Sequence, residues 1–522
     1  MKCTTLTLLK VFITLCTLIN CVLSIKPTSS SSSSSSNAIL KNPVLLQVSA
    51  RPWLLSLSKT LGINITAFKD IPDSVYTSLQ SMNIDYLWVM GVWKIGEYGL
   101  NHDRTKESLI EEYKHYLPDY TTEDAIGCPY AITEYTCNPE LCPNGDNDLL
   151  EFKSKLNSYN IKLMLDFVPN HSAYDSPWMS INKDYYIRER PDVEHNSTFF
   201  FENGVAFGGK MWTDVAQLNY FNPETRQLMQ EQMLKIASLS DGMRCDVAFM
   251  VSNSFFELSW KNELQYYNYT TPLTDFWEVS IAEVKRQYPN TIFLAEVYGS
   301  YVIDMITQGF DYVYDRDLLT HLTNGNVDEV RAYLYSTAEY EQYMARFLEN
   351  HDENRAASFF KNRTTITNAA ALIAYTVPGM RFLFQDFQFG YKFKLEVHLR
   401  RSYDEPKDQE AVEFYEKYLP IFTSDVFKYG EFEMVEVKGD DAYMFVAWKW
   451  KYGKEKRVVV VNFDGNQREC FVVIKDAGEN KEEVEMEEML SGVKITRKSK
   501  EVQEEGLFVI VKGYSGMIFT YN

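Results

Sequence analysis

The chain has 522 residues, with 52 Lys and Arg against 72 Asp and Glu, which gives a formal charge of −20. This acidity excludes a general nucleic-acid binder, because phosphate contacts need a basic surface. Hydrophobic residues make up 45% and aromatic residues 15% of the chain, enough to bury a large core, so we predict a folded protein of two or three domains.

Residues 1–24 are predicted to be a secretory signal peptide. Lys2 and Lys10 are basic, and the apolar stretch 11–24 ends in small residues before a cleavage site at Ile25. That stretch has 14 residues, fewer than the about 20 that a membrane span needs. An uncleaved membrane anchor is the alternative. Residues 25–44 contain an unbroken serine run at 29–36 and are predicted to form a flexible leader.

Glycosylation sequons and cysteines bear on the compartment. Sequons occur at Asn64, Asn196, Asn268 and Asn362, and they predict passage through a secretory pathway, with secretion or a lysosomal or vacuolar lumen as the destination. Removal of the signal peptide leaves Cys128, Cys137, Cys142, Cys245 and Cys470. Five is an odd number, so at least one thiol stays free. The spacing of Cys137 and Cys142 permits a disulfide, which we do not predict from the sequence.

From about residue 45 to 415, short apolar runs alternate with longer helical patterns, as in parallel strands joined by crossover helices. The predicted strands are 86–93, 130–135, 161–168, 242–247, 291–296, 311–314, 346–349 and 381–384. Eight such strands indicate a closed (β/α)8 barrel. A long insert after strand 3, residues 172–222, is predicted to cover the mouth of the barrel.

The sequence texture changes from about residue 420 to 522. Alternating strands are predicted at 442–448, 456–462, 470–474 and 507–511. This pattern is typical of a separate antiparallel β-sandwich domain.

Four segments place polar side chains at or just beyond predicted strand ends, where such a barrel has its active site. They are Leu165-Asp-Phe-Val-Pro-Asn-His171, Gly242-Met-Arg-Cys-Asp246, Phe293-Leu-Ala-Glu296 and Phe347-Leu-Glu-Asn-His-Asp352. Their spacing fits successive βα units, so we expect them to converge on one face. That face would hold Asp166, Asn170, His171, Arg244, Asp246, Glu296, His351 and Asp352.

Several carboxylates with few cations suit either a metal site or an oxocarbenium-like transition state. Cleavage of a glycosidic bond needs one protonated carboxylic acid at the leaving oxygen and one ionised carboxylate at the anomeric carbon. Arg244 precedes Asp246 by two residues on a predicted strand, so both side chains point the same way. A cation there would keep Asp246 ionised as a nucleophile.

In these segments the sequence resembles the α-amylase family, glycoside hydrolase family 13. The resemblance continues into Gly127-Cys-Pro-Tyr-Ala131, Ala216-Gln-Leu-Asn219 and Pro378-Gly-Met-Arg-Phe382, and covers about residues 45–522. It implies that Asp246 is the nucleophile, Glu296 the general acid/base and Asp352 the transition-state stabiliser of a retaining glycosidase. The substrate-binding residues that it implies are Tyr130, Asp166, His171, Arg244 and His351. Tyr130 would stack on the sugar, and an ordinary core aromatic is the alternative.

The sequence departs from calcium-binding members of this family. Phe249 and Met250 stand where those members often have Lys and His, and Gln217 stands where they often have a calcium-ligating Asp. Asn170 is the remaining candidate ligand. We therefore predict no tight calcium at the usual site, since hard cations prefer carboxylate oxygen. Because this Lys is missing, the sequence does not indicate which residues would bind the leaving group.

Three functions follow from these observations. The first is a hydrolase of α-glucosidic bonds in glucans or oligosaccharides, working through a covalent glycosyl-enzyme. The second is a transglycosylase or phosphorylase that passes the glucosyl group to a sugar or phosphate. The third is a catalytically silent barrel used to bind proteins, which the presence of all three acids disfavours. We expect a glucan partner, no nucleic acid, and no membrane span after signal cleavage.

Overall fold

The computed structural model describes residues 41–188, 190, 212–361 and 363–522. The predicted signal peptide, the serine run and the middle of the insert lie outside the described residues. The sequons at Asn196 and Asn362 also lie outside them. Within the described ranges, no helix reaches the length and apolarity that crossing a membrane requires.

A closed barrel of eight parallel strands forms the larger part of the fold. In chain order, its strands are Val44–Ser49, Tyr86–Met90, Lys162–Phe167, Gly242–Cys245, Ile292–Ala295, Tyr312–Tyr314, Met344–Arg346 and Met380–Phe384. The first strand pairs with the second and with the eighth, which closes the barrel. Strands covered on both faces form continuous apolar runs, and the second strand is buried along its whole length.

One predicted barrel strand is wrong. Segment 130–135 contributes to a strand, Ile132–Cys137, but this strand pairs antiparallel with Trp93–Ile95 outside the barrel. Its alternating burial suits a half-exposed hairpin rather than a barrel strand. The first strand, Val44–Ser49, takes the missing place in the barrel. The predicted leader is also wrong at its end, because Asn42 is buried and its side chain donates to the Lys428 carbonyl at 3.0 Å.

Helices cover the outside of the barrel and connect its strands. They are Ala50–Leu61, Asp73–Ser81, Glu97–Thr105, Glu107–Tyr116, Asp146–Ser158, Trp178–Ile181, Pro223–Leu239, Asn253–Tyr266, Phe276–Gln287, Val302–Thr307, Arg316–Asn324, Val327–Ser336, Ala356–Phe359, Thr364–Thr376, Gln409–Phe422 and Asp425–Tyr429. Local chemistry sets their ends. Asn222 accepts from the Glu224 amide and Pro223 occupies the first turn, so the helix after the insert begins there.

The insert after the third barrel strand is fastened by a short antiparallel sheet. Its strands are His171–Ala173 and Val215–Gln217, in which His171 lies opposite Gln217. The loop after the second barrel strand is closed by a disulfide between Cys137 and Cys142, a pairing that the sequence did not lead us to predict. Cys128, Cys245 and Cys470 are free thiols.

The C-terminal part is an antiparallel β domain of two sheets. In sheet order, the six-stranded sheet contains Glu431–Met434, Phe445–Tyr452, Glu455–Asn462, Ser515–Tyr521, Glu483–Glu488 and Lys494–Lys498, and the three-stranded sheet contains Val437–Lys438, Arg468–Val472 and Leu507–Val511. A helix, Ser499–Glu504, precedes the strand Leu507–Val511. The Trp450 indole donates to the Thr376 carbonyl at 2.7 Å, which ties the six-stranded sheet to a barrel helix.

Candidate active site

Polar side chains meet at the carboxyl ends of the barrel strands. Arg244 lies on the fourth strand, Asp246 follows that strand directly, and Glu296 follows the fifth. Asp352 lies in the loop after the seventh strand. Asp246, Glu296 and Asp352 line a cleft of about 850 Å³ together with Tyr130 and His171. The chain order of the four segments therefore places these carboxylates on one face, as the spacing indicated.

Arg244 is the centre of the site. It is fully buried, and its Nη1 and Nη2 donate to Asp246 Oδ1 and Glu296 Oε2, both at 2.7 Å. Its guanidinium also lies 5.3 Å from the centre of the Tyr130 ring and donates to the Tyr314 hydroxyl at 3.2 Å. A buried cation needs such compensation, and two carboxylates supply it. One guanidinium thus fixes both predicted catalytic acids relative to each other.

Burial raises the pKa of Asp246 well above its ordinary range. The Arg244 contact opposes this rise, while the neighbouring Glu296 charge adds to it. The contact that spacing predicted between Arg244 and Asp246 is present, but burial outweighs its effect on the pKa. Burial therefore favours the protonated form of Asp246 in the free protein, and the Arg244 contact offsets this only in part.

The turn after Asp246 is held by Glu296. Val247 has φ 35° and ψ 46°, a left-handed conformation that is costly for a β-branched residue. Its amide donates to Glu296 Oε2 at 2.8 Å, and the Tyr298 hydroxyl donates to Glu296 Oε1 at 2.7 Å. These partners fix the acid on both oxygens. No sequence motif marks these two partners, because one is a backbone amide and the other is a single Tyr.

His351 lies beneath the cleft between two hydrogen bonds. The Gln47 amide contacts Nδ1 and the Tyr130 hydroxyl contacts Nε2, each at 2.7 Å. Burial lowers the pKa of His351 well below its ordinary value, and the Arg244 charge adds to this effect, so the ring is neutral. Asp352 Oδ2 lies 3.1 Å from Nε2, on a side chain that is half exposed at the rim of the cleft. His351 therefore orients both Tyr130 and Asp352.

Asp166 lies deeper than the cleft lining. Its Oδ2 accepts from the Trp88 indole at 3.0 Å, and its Oδ1 is 3.5 Å from Arg244 Nη1. Burial raises the pKa of Asp166 to about 7. Of the predicted substrate-binding residues, Tyr130 and His171 line the cleft, whereas Asp166, Arg244 and His351 lie behind it. Burial also lowers the pKa of His171 to about 4, so this ring is neutral.

The residues at the family's calcium position do not fit a cation. Gln217 directs its amide nitrogen, a donor, at three oxygens: the Asn170 carbonyl at 2.9 Å, Asn170 Oδ1 at 3.0 Å and the Leu218 carbonyl at 3.1 Å. Phe249 and Met250 are buried and offer no oxygen ligand. In the described part of the chain, no group of three or more His, Cys, Asp or Glu is arranged to hold a metal ion.

Comparison with known proteins agrees with this geometry. A model of the α-amylase catalytic domain matches residues 128–418, more than half of the chain. The matched stretch contains Tyr130, Asp246, Glu296 and Asp352. A (β/α)8 barrel with a carboxylate-lined cleft defines a glycosidase-like class of protein. The chain belongs to the α-amylase family.

Several relatives share this family. α-Amylase 3 of Dictyoglomus thermophilum is 23% identical over 283 residues, covering 49% of this chain and 53% of that protein. An α-glucosidase of Candida albicans is 23% identical over 344 residues, covering 53% of this chain and 58% of that protein. An α-1,4-glucan:maltose-1-phosphate maltosyltransferase of Picrophilus torridus is 26% identical over 271 residues, covering 49% of this chain and 36% of that protein. The chain spans about half the length, or less, of these relatives.

Solved structures share the fold over nearly their whole length. An α-amylase from Geobacillus thermoleovorans, in complex with acarbose, superposes with a TM-score of 0.66 at 17% identity, covering 93% of this chain and 99% of that one. A maltogenic α-amylase from Thermotoga neapolitana superposes with a TM-score of 0.64 at 19% identity, covering 92% of this chain and 99% of that one. At 17% and 19% identity, this likeness shows a shared fold and nothing more.

Proposed function

We propose that the protein is a retaining glycoside hydrolase that cleaves α-glucosidic bonds of glucans or oligosaccharides. The observation that carries this proposal is the bridge of Arg244 to Asp246 and Glu296, at 2.7 Å each, inside the cleft. Retaining glycosidases in general hold their two carboxyl groups about 5 Å apart, closer than enzymes that activate a water between them. Asp246 and Glu296, bonded to the same guanidinium, fit the closer arrangement. Relatives named as α-amylases and an α-glucosidase support the substrate class.

The mechanism has two displacements. Asp246 Oδ1 is bonded to Arg244, so Oδ2 is the oxygen that attacks the anomeric carbon. As that bond forms, the glycosidic C–O bond breaks and Glu296 gives its proton to the leaving oxygen. Glu296 then takes a proton from water, whose oxygen attacks the same carbon and releases Asp246. Asp352, at the rim, stabilises the positive charge that develops on the sugar.

The leaving-group end of the cleft is apolar. Val247, Phe249 and Met250 line the cleft next to Glu296, where a sugar leaving group or an acceptor would lie. An apolar wall offers no hydrogen bonds to ordered water, and Phe249 is fully buried behind its surface. This observation favours transfer to a sugar acceptor as the second candidate function. The relative named as a maltosyltransferase supports the same alternative.

The test is product analysis with one inactive variant. Purified protein is incubated with maltooligosaccharides, sucrose, trehalose and isomaltose, and products are separated by chromatography. We expect shorter oligosaccharides from the wild type, and an Asp246→Asn variant that folds normally but loses at least about a thousandfold in kcat. Asp404→Asn, the same change on an exposed loop, is the control.

Products longer than the substrate would show that the protein is a transglycosylase rather than a hydrolase. Appreciable turnover by Asp246→Asn would remove the nucleophile assignment. A folded wild type without turnover on any of these sugars would overturn the enzyme proposal and favour the protein-binding alternative.

We also propose that the protein enters the secretory pathway and is glycosylated. The basic and apolar pattern of residues 1–24 supports a cleaved signal, and Asn64 and Asn268 are exposed sequons. Asn170-His-Ser172 also matches the sequon pattern, but Asn170 is buried, so we do not expect it to be an acceptor. Mass spectrometry of the protein secreted by a eukaryotic host tests both points, and an unprocessed N-terminus with unmodified Asn64 and Asn268 would contradict them.

We further propose that the protein does not use calcium at the family's usual site. The support is the Gln217 amide nitrogen, which lies against the Asn170 oxygens that a cation would need.

A further inference from the structure

The two carboxyl oxygens of Glu296 have partners of different chemistry. Oε2 accepts from Arg244 Nη2 at 2.7 Å and from the Val247 amide at 2.8 Å. Oε1 accepts from the Tyr298 hydroxyl at 2.7 Å. Glu296 and Tyr298 both line the cleft. The partners therefore decide which of the two oxygens can carry a proton.

Oε2 is unsuited to carry the proton that the reaction transfers. A guanidinium and a backbone amide donate hydrogen bonds but do not accept them. A proton on Oε2 would therefore compete with two donors, and one of these would lose its hydrogen bond in a buried position. With the proton on Oε1, the carbonyl oxygen Oε2 still accepts from Arg244 and from the Val247 amide. The acid form of Glu296 thus has its proton on Oε1.

The hydroxyl partner of Oε1 suits both forms of the acid. A hydroxyl donates to an ionised carboxylate and accepts from a protonated one, and the change needs only a rotation of its hydrogen. Burial and the neighbouring Glu296 charge raise the pKa of Tyr298 well above its ordinary value, so the hydroxyl keeps its own proton. The Tyr298 ring packs edge-on against Phe249, with the ring centres 6.2 Å apart. The ring can therefore stay in place while the hydrogen turns.

We propose that Tyr298 is a positioning residue that places the transferred proton on Glu296 Oε1 and lets this oxygen act first as acid and then as base. In the first displacement the Oε1–H bond breaks, the proton passes to the glycosidic oxygen, and the electron pair stays on Oε1, to which the Tyr298 hydroxyl donates. In the second displacement Oε1 takes a proton from the attacking water, and the Oε1–H bond forms again. This inference rests on the proposed function.

A change of Tyr298 to Phe leaves the charges around Glu296 in place. The charged and titratable side chains around Glu296 include, besides Tyr298, Arg244, Asp166, Asp246, Tyr314, His351 and Asp352. The variant removes a neutral hydroxyl and none of these groups. A change in the pH dependence of the variant therefore reports the lost hydrogen bond.

Two substrates with the same sugar and different leaving groups test the proposal. Maltotriose releases glucose, whose oxygen needs a proton as it leaves, whereas 4-nitrophenyl α-maltoside releases a phenolate that needs little help from an acid. For Tyr298→Phe we expect the ratio of kcat/KM for maltotriose to that for the nitrophenyl maltoside to fall about three- to tenfold. The basic limb of the kcat/KM profile for maltotriose should move to higher pH by about one unit, because a donor to the ionised form is lost.

Tyr301→Phe is the matched control. It removes a hydroxyl from the same loop, and its ring stacks on Phe249 at 5.4 Å between ring centres. This variant should keep the wild-type substrate ratio and the wild-type pH profile. A folded Tyr298→Phe variant that also keeps both would overturn the proposal while leaving the proposed function intact.

Urea unfolding gives a readout that does not depend on turnover. Because Tyr298 donates to the ionised form of Glu296, its hydroxyl stabilises the folded protein more as the pH rises. We expect the unfolding equilibrium constant of Tyr298→Phe, relative to the wild type, to rise about tenfold between pH 4 and pH 8, and that of Tyr301→Phe to stay constant. A constant ratio for Tyr298→Phe contradicts the proposal. If the wild type cleaves neither substrate but the pH-dependent difference is present, the proposed function fails and the positioning of Glu296 by Tyr298 stands.

Discussion

Asp166 is a buried acid whose protonation should set part of the pH dependence of stability. Burial raises its pKa to about 7, against about 4 in an unfolded chain. Between these pH values the folded protein holds a proton that the unfolded chain has released. The free energy of unfolding that Asp166 contributes is therefore fully present below pH 4 and is lost as the pH rises through 7, by on the order of 4 kcal/mol.

The Asp166→Asn variant removes this titration. We expect the stability of the wild type relative to the variant to fall between about pH 4 and pH 7 and to level off at higher pH, measured by urea unfolding at several pH values. Asp404→Asn, an exposed change of the same kind, should follow the wild type at every pH. A difference between Asp166→Asn and the wild type that stays constant with pH would show that Asp166 is not protonated near neutrality.

Motifs predicted the carboxyl groups that the structure brings together in the cleft, but not the residues that hold them. Asp246, Glu296 and Asp352 lie in segments whose spacing fits a barrel, so the sequence predicted that they converge. Gln47 occupies a single position in a segment without a motif, and its role depends on its 2.7 Å contact with His351 across the fold. Such contacts arise from tertiary packing, which periodicity and composition do not encode.

At the scale of the element, the short sheet of the insert places an amide nitrogen against the oxygens of Asn170. Gln217 lies opposite His171 in this sheet, and its amide nitrogen donates to both oxygens of Asn170. The sequence identified Gln217 as a departure from a carboxylate. It did not show that nitrogen rather than oxygen faces Asn170, because the orientation of an amide depends on the donors and acceptors around it.

This arrangement predicts stability without calcium. We expect the melting temperature of the wild type to be the same, within about 1 °C, in EDTA and in millimolar CaCl₂. Gln217→Asp replaces the donor by a carboxylate that faces the Asn170 oxygens. It should therefore be less stable in EDTA and regain stability with calcium.

Gln217→Leu is the control, since it removes the donor without adding a ligand. It should lose about 1–3 kcal/mol, because buried oxygens are left unpaired, and calcium should not restore this loss. A wild type that melts at a clearly lower temperature in EDTA would contradict the proposal for this site.

The predicted strands also show what an element's sequence does and does not specify. Segment 130–135 alternates as a strand does, and it lies in one, but its partner is Trp93–Ile95 and not a barrel strand. Residues 44–49 form a barrel strand in which every position is buried, yet this segment, directly after the serine-rich leader, is not among the predicted strands. Propensity predicts that a strand forms, while the partner depends on which face the rest of the fold covers.

At the scale of the whole molecule, the barrel and the C-terminal β domain share one core. Trp448, Trp450 and Ile518 of the six-stranded sheet belong to the same buried cluster as the barrel strands. The helix Thr364–Thr376 lies between them, with a continuous buried segment from Ala369 to Thr376. The change of texture near residue 420 predicted a separate domain, but sequence alone could not show that its face packs on a barrel helix.

A shared core predicts that the two parts unfold together. Trp450 is fully buried and donates to the Thr376 carbonyl at 2.7 Å, so it joins the sheet to the barrel helix. Trp450→Ala should cost about 3–5 kcal/mol, because it leaves a large cavity and an unpaired carbonyl. Since both parts lose the same contacts, calorimetry should show one transition at a lower temperature, coincident with the loss of activity on heating.

Tyr452→Ala, at the exposed end of the same strand, is the matched control and should change stability by less than about 1 kcal/mol. Two separate transitions in the Trp450 variant, with activity following the later one, would mean that the β domain unfolds alone. A single lowered transition instead makes the C-terminal domain part of the scaffold that holds the eighth barrel strand, and through it the loop that carries Glu396 and His398 into the cleft.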